Sequence, residues 1–162
     1  MNDSTSAIGM DDNRLRHCRG VGMKASDLGR TLFGWSDDKC REMFVMGYLH
    51  DVGYQFAQEQ SEHAELGGAL LRSLGFTYWA EIFHHGDPDS NYQSDELLVL
   101  NLADMLTSRD GSATTIPARL TDIASRYGVE SPQYVAAKKL AAVLVAQVRE
   151  IGGSQEILSQ LL

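Results

Sequence analysis

The chain has 162 residues, of which 43% are hydrophobic and 22% charged, enough for one domain with its own core and too apolar for an intrinsically disordered segment. Its formal net charge is −8 at pH 7, which argues against duplex nucleic acid and anionic membrane surfaces, since both call for clustered cations. A small phosphorylated substrate stays open, because a bound metal ion can supply the local positive charge that the surface lacks.

No stretch reaches the ~18 apolar residues of a membrane span, and the polar, acidic start Met1-Asn2-Asp3-Ser4 lacks the basic and apolar regions of a signal peptide. Residues 1–10 are expected to form a loose leader and 11–162 a single domain, with core 12–110 and C-terminal helices over 115–162. Cys18 and Cys40 form no CxxC pair or zinc spacing, which fits a reduced, cytoplasmic chain.

The hydrophobic periodicity is helical almost throughout and predicts an all-α bundle of about six to eight helices. Asp11 to Asn13 can cap a first helix running towards Leu32, along which Gly20, Gly22 and Gly29 permit close packing or a break. Ser36 caps a second over Lys39 to His50, stopped by Gly53. Ser61 is expected to cap a third, to Leu74, and a fourth covers Thr77 to His85 before the breaker Gly86-Asp87-Pro88. The fifth covers Ser94 to Ser108. Pro117 opens a sixth, and Ser131-Pro132 is a specific start signal for a seventh, with Leu140, Leu144 and Val148 on its apolar stripe. The last two hold no histidine and read as core, with a possible subunit face in a homo-oligomer.

All five histidines (His17, His50, His63, His84 and His85) fall in or beside the first four helices, and His50 is followed directly by Asp51. A His-Asp pair at a helix end can converge on one ion, because the last turn loosens and frees the carboxylate to reorient. Imidazole nitrogen with carboxylate oxygen suits Fe, Mn, Co, Ni or Zn better than Ca or Mg.

Three elements together carry a family resemblance: Arg14-Leu15-Arg16-His17-Cys18, then Leu49-His50-Asp51-Val52-Gly53 after an apolar helix, then Leu102-Ala103-Asp104. Their order and context resemble the HD superfamily of metal-dependent phosphohydrolases over residues 12–110. The resemblance implies His17, His50, Asp51 and Asp104 as ligands of one metal. Ser61-Glu62-His63-Ala64 and Ile82-Phe83-His84-His85 are similar to the intervals that hold a second ion in binuclear branches, including the bacterial di-iron enzymes that hydrolyse dinucleoside tetraphosphates. The metal set implied is therefore His17, His50, Asp51, His63, His84, His85 and Asp104, with His84 favoured over His85.

The implied activity is hydrolysis of a nucleotide or dinucleotide phosphate by a metal-bound hydroxide, with one or two ions, Fe or Mn ahead of Zn, Co or Ni. His50 and Asp51 stand at its centre. Arg109 is the first candidate to offset charge on the substrate, with Arg14 and Lys24 behind it. The alternatives are a non-catalytic metal- or nucleotide-binding regulatory module and a di-iron oxygenase of the same fold. Two departures stand out. Tyr54 occupies the position where the family often carries Lys, and no Gly-Tyr-Pro follows His84-His85, which argues against a cyclic-di-GMP phosphodiesterase.

Overall fold

Short polar residues set most of the helix starts. In the computed structural model, which describes residues 6–162, Asp11 accepts from the Arg14 N–H to open α1 (Asp12–Phe33). Ser36 does the same for α2 (Asp37–Leu49), Ser94 for α5 (Asp95–Met105) and Thr115 for α6 (Ile116–Tyr127). Ser131 opens α7 (Pro132–Glu150) and Ser154 opens α8 (Gln155–Leu161). Each such cap contributes about 0.5–2 kcal/mol. Among the described residues the protein is all-α, eight α-helices and no strand beyond an isolated bridge between Thr107 and Ala113.

The expected start of the third helix needs correction. Ser61 does not cap it. A 3-10 turn over Gln60–Glu62 leads into α3 (His63–Ser73), and Glu62 closes the entry by accepting from the Gln58 and Glu59 N–H groups at 3.2 Å each. Another 3-10 turn, Val52–Gln55, follows α2, and α4 is short (Trp79–His84). Of the expected leader, residues 1–5 lie outside those described. Within its remainder, Ile8 and Gly9 donate to the Ala57 and Tyr54 carbonyls at 2.8 Å. The eighth helix follows Gly152-Gly153 and buries Ile157, Leu158 and Leu161.

The core is built around α5. Residues Leu97 through Ala103 and Met105 are all buried, so this helix is apolar on every side and touches α1, α2, α4 and α7. Each leucine it buries contributes about 1.5–3 kcal/mol. No helix among the described residues is long and apolar enough to cross a membrane.

α1 and α2 meet at a glycine pair. A Cβ on Gly47 would lie 2.8 Å from both Cα and N of Gly22, and a Cβ on Gly22 would lie 2.7 Å from the Phe44 carbonyl oxygen. The glycines therefore serve close packing and not a break, since α1 runs uninterrupted past them. This approach brings the His17 and His50 rings to 5.3 Å between centroids. Replacing Gly47 with Ala should push backbone against backbone and cost about 1–3 kcal/mol, read as a lower urea midpoint. An unchanged midpoint would contradict this contact.

Candidate metal centre

Six side chains from five parts of the chain converge where the helix ends meet. His17 comes from the middle of α1, His50 and Asp51 from the end of α2, His63 from the first residue of α3, His85 from the residue after α4, and Asp104 from the last turn of α5. Every one of the four imidazoles is oriented by the same device. Nδ1 donates to a backbone carbonyl: His17 to Ser108 at 2.8 Å, His50 to Gly47 at 2.7 Å, His63 to Gln60 at 2.5 Å and His85 to Ile82 at 2.6 Å. A carbonyl only accepts, so each Nδ1 carries a proton and each ring turns its Nε2 inward, with a lone pair there whenever that nitrogen is unprotonated. A histidine that binds a metal is normally held in this way.

Those lone pairs face acceptors. His17 Nε2 lies 2.9 Å from Asp104 Oδ1, and Asp51 Oδ1 lies 3.2, 3.3 and 3.6 Å from Nε2 of His50, His63 and His85. His63 Nε2 and His85 Nε2 are 3.2 Å apart, and His50 Nε2 is buried with no hydrogen-bond partner. An unprotonated Nε2 at such distances from a carboxylate or another Nε2 is repelled, so a proton or a metal cation must stand between them. The ligand atoms of His17, His50 and Asp51 lie within 4.8 Å of one another, and so do those of Asp51, His63 and His85 and those of His50, His85 and Asp104. The buried cluster can thus hold a divalent metal, and Asp51 is common to two of the three groups.

The titration behaviour reports the same field. Burial works against a charged His50, yet the carboxylates of Asp51 and Asp104 overcome it and hold its pKa well above the ordinary imidazole value. Burial likewise opposes ionisation of Asp51 and Asp104, and the histidines around them outweigh it, leaving both well below the usual carboxylate range. His85 goes the other way. Burial lowers it, helped by the neighbouring His63 and His50. A site that favours positive charge this strongly suits a metal cation.

Local packing explains the positions. A Cβ on Gly53 would run into the His63 carbonyl, so the turn after Asp51 lies directly against the start of α3. Gly111, at φ +89°, lies close against the Arg16 carbonyl, in the turn that presents the Ser108 carbonyl to His17. Asn101, buried on α5 one turn before Asp104, accepts from the Gly86 N–H at 2.9 Å and pins the bend after His85. Nothing in the sequence pattern singles out Asn101 for this role.

His84 corrects the sequence preference. Its ring lies outside the cluster, stacked on Tyr92 at 5.1 Å with Nδ1 3.1 Å from the Ser90 hydroxyl, whereas His85 is buried beside Asp51 and His63. The signal available was Ile82. It is fully buried, and His85 falls three residues on, on the same face.

The cluster opens into a groove of about 960 Å³ that Arg14, His84 and Arg109 also line. Arg14 lies flat on Tyr54, its guanidinium carbon 3.5 Å from the ring centre, with Nη1 3.9 Å from Asp51 Oδ2. The other face of Tyr54 belongs to His63, at 4.2 Å and 8°. Lys24 lines a different cavity, between α1 and α8, and drops out as a partner of the site. The last helices, read from sequence as core and a subunit face, contribute Arg119, Arg126 and Lys139 to the groove.

Two outcomes test the cluster. Changing His85 to Ala should lower the metal content of the purified protein, while His84 to Ala should leave it within error. The reverse result would reassign the ligand. Metal should also stabilise the fold more at high pH than at low. A raised His50 pKa makes its protonated contribution present below the unfolded value and lost as pH rises through the folded one. The metal replaces that proton. The unfolding-temperature gap between loaded and chelated protein should widen from about pH 6 to about pH 9, and a constant gap would count against direct His50 ligation.

Neither the curated proteins nor the solved structures compared with the chain gave a match. The HD domain family does match, over residues 14–128, a span that contains all six converging side chains, and the chain belongs to that family.

Proposed function

We propose that the protein is a metal-dependent phosphohydrolase acting on a nucleotide or dinucleotide phosphate. The observation that carries this reading is the set of four inward Nε2 atoms and two carboxylates, of which all but the fully buried His50 line a groove shared with Arg14 and Arg109. His17, His50, Asp51 and Asp104 would hold one divalent ion. Asp51, His63 and His85 would hold a second, with Asp51 shared. When bound, such metals supply Lewis-acid polarisation of a phosphoryl oxygen and activation of water at neutral pH. Fe or Mn is favoured by the mixed imidazole and carboxylate donors, with Zn, Co and Ni compatible.

The chain's own groups bind and orient. Arg14 is stiffened by Tyr54 beneath it and offers its guanidinium beside Asp51, where it would bind a non-bridging phosphoryl oxygen. Arg109 lines the same groove and would bind the next oxygen along the chain of phosphates. Tyr54 also braces His63. Family members often place Lys at that position, and here the cation near Asp51 comes from α1 instead. His84, in the groove wall but outside the cluster, is the group available to hand a proton to the departing oxygen.

The experiment is metal analysis of protein purified without chelator, followed by phosphate release from a nucleotide and dinucleotide panel with Mn or anaerobic Fe(II). Asp51→Ala should abolish release and reduce bound metal, while His84→Gln should lower turnover by about tenfold to hundredfold with metal content retained. Stoichiometric metal without phosphate release would turn the reading towards an oxygenase of the same fold. Failure to bind metal after reconstitution would leave a regulatory module.

A further inference from the structure

Arg119 is a cation whose donors are poorly met. It stands in the first turns of α6, its side chain only 13% exposed, and its Nε and Nη1 atoms are buried without a hydrogen-bond partner. The nearest carboxylate, Asp122, lies 3.7 Å from Nη1 and is engaged more closely by Arg126, at 2.9 Å. Holding a guanidinium largely out of water with donors unmet is unfavourable unless an acceptor arrives. The residues at 119, 123, 126 and 127 recur at helical spacing, and all four line the groove that opens from the His/Asp cluster. Arg14, near the cluster, likewise has its Nε buried and without a hydrogen-bond partner, while its Nη1 lies 3.9 Å from Asp51 Oδ2.

From these two poorly met guanidinium groups we infer that Arg119 forms a second anion subsite, for a phosphoryl group beyond the one bound at the cluster. The groove then selects substrates with at least two linked phosphoryl groups over phosphomonoesters. Arg126 adds charge at the rim, and Ile123 and Tyr127 offer an apolar surface for whatever the phosphates carry. This inference rests on the phosphohydrolase reading for its biological sense, but the subsite can be measured as binding.

The test uses Mn-loaded full-length protein titrated with imidodiphosphate and with orthophosphate, metal content being checked after each titration. The wild-type protein should bind imidodiphosphate about tenfold to hundredfold more tightly than orthophosphate, as a charge-assisted contact implies. Arg119→Met should reduce that preference to about twofold, and Arg119→Lys should restore part of it. The unfolding midpoint of Arg119→Met should equal or exceed the wild-type value, because a largely buried charge with only a distant carboxylate beside it has been removed. No preference in the wild type, an equal preference in Arg119→Met, or a lowered midpoint would overturn the subsite. If the preference depends on Arg119 while no phosphate ester is hydrolysed, the subsite stands and the phosphohydrolase reading falls.

Discussion

The Nδ1–H to carbonyl bonds on the four histidines govern everything else in this protein. Without them an imidazole in a helical core is ambiguous, because either nitrogen can carry the proton and the ring can turn to satisfy itself. With them, four lone pairs are fixed inward beside two carboxylates. The result is a buried polar set that cannot satisfy itself internally. His50 Nε2 makes no hydrogen bond, although Asp51 Oδ1 lies 3.2 Å away, and an unmet buried polar atom typically costs about 1–3 kcal/mol. The cluster is thus incomplete as pure protein, and a proton or a metal ion completes it.

The helical framework exists to bring chain termini and turns to that point. Three of the four orienting carbonyls lie just three residues before their histidine. His50 and His85 each follow the last residue of a helix, and the carbonyl that accepts the ring N–H also accepts the histidine's own backbone N–H at 3.4 Å, so its second lone pair serves the ring with no helical bond lost. His17 is different. It sits mid-helix, and its carbonyl comes from Ser108, 91 residues away. That one long-range bond ties the turn after α5 to α1, and it places Asp104 2.9 Å from His17 Nε2. The Gly22–Gly47 contact then fixes the distance between the two halves of the site.

This division explains what was legible in the sequence. Caps at Asp11, Ser36 and Ser131 are local chemistry and could be read directly, as could the all-helical periodicity and the His50-Asp51 pair at a helix end. The choice between His84 and His85 depended on the phase of a six-residue helix, too short for a stripe to be read without knowing that Ile82 faces the core. The start of α3 was hidden because Glu62, not Ser61, meets the free N–H groups ahead of it. The role of α6 was hidden for another reason. Arginines at 119 and 126 look like solvated charges in sequence, and only the packing of α6 reveals that one of them has been withdrawn from water.

Charge distribution closes the argument. The chain carries 22 acidic and 14 basic side chains, so its overall field repels anions. The groove itself is mixed: Arg14, Arg109, Arg119, Arg126 and Lys139 line it together with Asp11, Asp51, Glu65, Asp87, Asp89 and Asp104. Lys139 lies 3.7 Å from Asp89, and Arg126 2.9 Å from Asp122. On the proposed reading, a metal held at the cluster would add the positive charge that the mixed lining of the groove lacks, and would set which phosphoryl group of a small substrate reacts.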